Sequence, residues 1–115
     1  EISVASISNL YIDQGSTYSN IITVASSTGT ALDLTNYTVA SQIRKSYGSS
    51  TAYNFTASVY NAVDGKVRLQ LTSTESSAIP AGRYLYDIEI TNTNTSAKTR
   101  ILEGIVVVTP EITQI

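Results

Sequence analysis

The residues able to do chemistry are few. Asp87 and Glu89 lie two apart in an alternating run, which puts both carboxylates on one face of a strand. Paired carboxylates can hydrolyse glycosides or bind calcium. Glycoside hydrolysis also needs a deep, aromatic-lined cleft, which a chain of 115 residues rarely builds. The plainer reading is an outer sheet face whose acids are balanced across strands by Lys66 and Arg68. Asp13, Asp33 and Asp64 all fall in turn-like segments and could converge on calcium at one end of a fold. Aspartate is also simply a good turn residue, and no Asp-x-Asp cluster occurs. Arg44 and Lys45 beside Tyr47 form a small basic and aromatic patch, suited to a partner's phosphate or carboxylate or to a solvated strand end. Serine and lysine are both present, but no Ser-x-x-Lys spacing falls on a plausible helix. Asn36-Tyr37-Thr38, Asn54-Phe55-Thr56 and Asn94-Thr95-Ser96 match the glycosylation sequon, as chance allows in a Ser/Thr-rich chain.

What is missing narrows the chemistry further. The chain has no Cys, His, Trp or Met. Without Cys there is no disulfide framework, thiol nucleophile or thiolate metal site. Without His the commonest general base and metal ligand are gone, and Ser-His-Asp or Cys-His catalysis cannot be assembled within these residues. A net charge of −2 argues against nucleic acid as the main partner. No run of about 18 apolar residues reads as a membrane span, and no signal-peptide pattern opens the chain. With no Met, Glu1 cannot be a translation start, which implies a chain that has lost its N-terminus or was cut from something longer. The residues read as non-enzymatic, with no cofactor and no metal.

The elements that must position these groups are strands. Short runs alternate with period two, and Thr, Val, Ile and Tyr fill them. Strands are expected over Ile2 to Ile12 with a break near Ser8 and Asn9, then over Thr17 to Ala25, Ala31 to Leu34 and Thr38 to Arg44. Tyr53 to Tyr60 follows, with Tyr53, Phe55, Ala57 and Val59 on one face. Asp64-Gly65 marks a hairpin, because glycine accepts positive φ. Lys66 to Leu71 points Val67, Leu69 and Leu71 inward. Thr72 to Ala78 breaks the pattern; Ser73 or Thr74 could cap one helical turn and Pro80 would end it. The next strand, opened by Ala81-Gly82, points Tyr84, Tyr86, Ile88 and Ile90 inward, and Thr99 to Thr109 is the last long strand.

This pattern predicts one all-β domain over residues 1–115. Its expected form is an immunoglobulin-like antiparallel β-sandwich of seven to eight strands with one short helical turn, a small barrel being the alternative. A helical turn before a Gly-x-Tyr strand matches the sheet-to-sheet corner of such domains, where a tyrosine hydroxyl ties down the upstream loop; Tyr84 is the candidate. Some apolar residues fall where water is expected. Leu85 sits on an otherwise charged face. The last strand is apolar on both faces, with Ile101, Ile105 and Val107 on one and Leu102, Val106 and Val108 on the other. Either the domain's own loops cover this surface or other subunits dock on it. The protein-interface residues so expected are Leu85, Leu102, Val106, Ile112 and Ile115, with Arg44 and Lys45 as a polar rim.

Several segments together resemble a family of immunoglobulin-like domains in tailed-bacteriophage virion proteins. They are Asp13-Gln14-Gly15-Ser16-Thr17-Tyr18, Leu32-Asp33-Leu34-Thr35-Asn36-Tyr37, Gln42-Ile43-Arg44, Asp64-Gly65-Lys66-Val67, the stretch from Ile79-Pro80-Ala81-Gly82-Arg83-Tyr84 to Ile90, Arg100-Ile101-Leu102-Glu103-Gly104, and Val106 to Thr113. The chain looks like the N-terminal domain of phage baseplate upper proteins, and like small virion structural proteins of marine and cyanobacterial phages. The resemblance implies a location in the virion and an oligomeric arrangement there. Its partners would be baseplate, tail or capsid subunits, with neither nucleic acid nor membrane. A tail or baseplate adaptor is the first expectation and a capsid decoration, or cement, protein the second. A carbohydrate-binding module for host-surface attachment is the third; it requires exposed tyrosines grouped together, from among Tyr11, Tyr18, Tyr47 and Tyr60.

Overall fold

The computed structural model describes residues 6–7, 9–25, 30–46 and 48–112. Among these, nine strands and one short helix follow in chain order: β1 (Ser6–Ile7), β2 (Leu10–Asp13), β3 (Tyr18–Thr23), β4 (Tyr37–Arg44), β5 (Ala52–Asn54), β6 (Thr56–Asn61), β7 (Lys66–Leu71), α1 (Ser73–Ser77), β8 (Gly82–Asn92) and β9 (Lys98–Thr109). They form two sheets. The larger runs β1-β9-β8-β4-β5, with β2 also on β9; the smaller runs β3-β7-β6. The fold is an all-β, immunoglobulin-like sandwich. All pairings are antiparallel except those of β1 and β2, which lie parallel to β9.

The N-terminal run breaks before Leu10, where an interruption is expected, giving β1 and β2. One run expected as a single strand is divided. The run over Tyr53 to Tyr60 divides at Phe55, where the chain leaves β4 and joins β7 in the other sheet. Tyr53, Phe55, Ala57 and Val59 still all pack on the core, from two different layers. Leu34, Ile43, Leu69, Ile79, Ile88, Ile90 and Val106 fill that core. Phe55 carries an aromatic chain across it, with ring centroids 5.8 Å from Tyr18 and 6.3 Å from Tyr86.

The corner between the sheets is built from hydrogen bonds. Thr72, not Ser73 or Thr74, caps α1. Its hydroxyl accepts from the Glu75 N–H while the Glu75 carboxylate accepts from the Thr72 N–H. This is the Thr-x-x-Glu capping box, read off residues 72 and 75. Fully buried Ser76 then ties α1 to the turn after β2. Its hydroxyl donates to the Ser16 carbonyl at 2.8 Å and accepts from the Gly15 N–H at 3.0 Å. Gln14 donates to the Ile79 carbonyl at 3.0 Å. The Tyr84 hydroxyl donates to the Pro80 carbonyl four residues upstream, the tyrosine corner expected of it. Burial, with the Tyr53 phenol beside it, pushes the Tyr84 hydroxyl pKa up. At the other end Gly65 has φ +65, and a Cβ there would stand 2.6 Å from the Leu32 carbonyl oxygen.

Candidate interaction face

Strand alternation divides β9 except at one bulge. Leu102, Val106 and Val108 point into the core, and a bulge opposite Ile88 and Glu89 turns Ile101 inward as well. Leu102 and Val106 are therefore core residues, not docking residues: each is at most 5% exposed. The outward residues are Ile105 and Val107, both half-buried. Register places Ile105 beside Leu85, and Val107 between Arg83 and Tyr11. Tyr11 is 68% exposed. Tyr11, Val107, Ile105 and Leu85 thus make an apolar strip across β2, β9 and β8 on the outer face of the larger sheet. Leu85 was legible as an apolar residue on a wet face. The other three required knowing which face of β9 the core takes and that β2 lies beside it.

The strip adjoins a polar groove of about 710 Å3 over β9, β8 and β4, walled on one side by Asn54 to Ala57. Asp87, Glu89, Glu103 and Arg100 line it. The cation facing the acids is Arg100, not Lys66 or Arg68. Its Nε lies 3.2 Å from Asp87 and its Nη1 3.3 Å from Glu103. Lys66 and Arg68 belong to the smaller sheet, where Lys66 donates to the Thr23 hydroxyl at 3.1 Å and Arg68 stacks on Tyr60. Among the described residues Glu89 has no ion pair, because Arg100 turns to its other two neighbours. Such surface pairs are worth at most about 1 kcal/mol each. The two aromatic residues lining the groove, Phe55 and Tyr86, are buried in the core, so it offers a sugar ring no exposed aromatic platform.

The other residues singled out by sequence lie elsewhere. Arg44 donates to the Ser49 carbonyl at 2.6 Å and to Gln42 at 3.1 Å, holding the loop after β4. The Lys45 ammonium sits 4.8 Å from the centre of the Tyr84 ring. Ile112 is 96% exposed. Ile115 and Tyr47 lie outside the described residues. The three aspartates do not converge. Asp13 accepts from the Thr109 hydroxyl at the α1 end of the sandwich. Asp64 contacts Asn61 in the β6–β7 turn at the other end. Asp33 accepts from the Thr35 hydroxyl and N–H, and these bonds hold its carboxyl below its ordinary pKa. No cluster of three potential metal ligands occurs among the described residues. Nor do the candidate tyrosines among the described residues group. Tyr11 is on the outer face of one sheet, Tyr60 on β6 of the other, and Tyr18 packs against Phe55.

No known protein family matches this chain, and no curated protein does. Among solved structures it is similar to the crystal structure of Listeria monocytogenes InlP, with 15% sequence identity and a TM-score of 0.49. That similarity covers 90% of this chain and 26% of InlP, so the chain spans about a quarter of that protein's length.

Proposed function

We propose that this chain is a non-enzymatic structural module of a tailed-bacteriophage virion that docks onto other virion subunits. An adaptor in the tail or baseplate is the first placement, and a capsid decoration protein the second. The phage assignment rests on the sequence resemblance. The docking role is supported by one observation: Tyr11, Val107, Ile105 and Leu85 form a continuous apolar strip on the outer face of a sheet whose other face already packs on the core. A strip of this kind, rimmed by charge, is the usual character of a protein-binding surface.

The carbohydrate-binding reading has less support, since it needs grouped exposed tyrosines and Tyr11 and Tyr60 lie on different sheets. Mass spectrometry of purified virions tests the assignment. The chain is expected among the virion proteins at a stoichiometry fixed by particle symmetry; its absence from intact particles would contradict the proposal.

A further inference from the structure

The larger sheet has an unfinished edge. β5 pairs with β4 only at Gln42, Ile43 and Arg44. At Phe55 the chain leaves for the other sheet, its N–H donating to the Ser41 carbonyl at 3.1 Å. Strand alternation sends the N–H and C=O of Val39 toward the same side as that carbonyl. Among the described residues no strand pairs with β4 there. The groove lies along this segment, with Val39, Ala40 and Ser41 on one side and Phe55, Thr56 and Ala57 on the other.

We propose that the open edge of β4, from Thr38 to Ala40, receives an extended segment of a partner protein as an added strand. The segment would alternate apolar side chains inward with Lys or Arg outward. This deepens the docking role proposed above and rests on it. The backbone edge calls for a strand, since its unpaired groups match another extended chain and nothing else as well. The inward preference follows from Val39, Ala57 and Val59, which are only partly buried and flank the gap. The outward preference follows from charge. Ala40 pairs with Glu89 across β4 and β8. A long cationic side chain opposite Ala40 would therefore pass over a methyl group and meet a carboxylate that has no ion pair among the described residues.

A second copy of this chain does not fit the same edge through its own β4. Antiparallel pairing opposes residues that face the same edge, so it would centre on Val39 and set Tyr37 against the other copy's Ser41, yet the Tyr37 N–H already donates to Leu34 and the Ser41 carbonyl already accepts from Phe55. The occupant is accordingly a free-running segment of another protein.

The test uses the 115-residue protein and a capped eight-residue peptide alternating lysine and valine, with a glutamate–valine peptide as control. Amide hydrogen exchange is read by NMR. The lysine peptide is expected to slow exchange of the Val39 N–H by at least about tenfold, as ladder formation protects an amide. The glutamate peptide should leave it unchanged. Glu89→Gln should weaken binding about two- to five-fold, and Ala40→Arg, at an exposed position, should weaken it by at least as much by occupying Glu89 from within the chain. No protection at Val39 with millimolar lysine peptide, or equal protection by both peptides, overturns the proposal. If the peptide fails while Leu85→Glu still abolishes virion incorporation, the docking role stands and the added strand does not.

Discussion

At the residue scale, a few polar groups carry the corner of the sandwich. Tyr84 and Ser76 each satisfy buried backbone, and leaving such groups unpaired costs about 1–3 kcal/mol apiece. Tyr84→Phe is expected to lower stability by about 1–2 kcal/mol in urea melts, with the slope of the transition unchanged. The Tyr84 phenol also makes the fold sensitive to alkali. Its folded-state pKa lies above the unfolded value, so the folded protein keeps this proton longer. That contribution is intact below the unfolded value near 10 and is lost as pH rises through the folded one. Tyr84→Phe should therefore flatten the alkaline fall in stability, which pH-dependent melts would record. Ser76→Ala leaves the Gly15 N–H and the Ser16 carbonyl without their partner and should cost about 2–3 kcal/mol. At Gly65 both the positive φ and the nearby Leu32 carbonyl resist a side chain, so Gly65→Ala should cost at least about 2 kcal/mol by the same measurement.

At the element scale, alternation alone makes most strands legible in the sequence. The inward faces of β7 and β8 were read residue by residue, because period two and one-sided burial leave a single solution. Three features escaped that logic. The run through Phe55 looks continuous because its inward face never changes, even though it serves two sheets. The bulge in β9 sends Ile101 and Leu102 both into the core, which period two forbids. In β9 both faces are apolar, so composition could not say which one is covered; the register with β8, which sets Val106 beside inward Tyr84 and Leu102 beside inward Ile88, decides it. This assignment has a direct consequence. Leu102→Ala should cost about 2–4 kcal/mol by opening a core cavity. Ile105→Ala on the outer face should cost under about 1 kcal/mol. Equal losses in thermal melts would contradict the division of β9 into core and docking faces.

At the scale of the whole molecule, the sandwich presents two unlike faces. The outer face of β3-β7-β6 carries Lys66 and Arg68, with Arg68 stacked on Tyr60. The outer face of the larger sheet carries the apolar strip, the Arg100 pairs and the open edge of β4. The position of Leu85 among charged neighbours was the sequence signal for that face. Its extension to Tyr11 depends on a contact between the two ends of the chain, which no local pattern reports. Leu85→Glu with Ile105→Glu is expected to leave the circular dichroism spectrum intact and to cut incorporation into virions by at least about tenfold, since a buried unpaired carboxylate is costly at an interface.

The most direct measurement is electron cryomicroscopy of the virion at a resolution that places side chains. The central claim predicts that the outer face of the larger sheet, with Tyr11, Leu85, Ile105 and Val107, lies against a neighbouring subunit. A particle in which that face is open to solvent, while the smaller sheet makes the contacts, would contradict it.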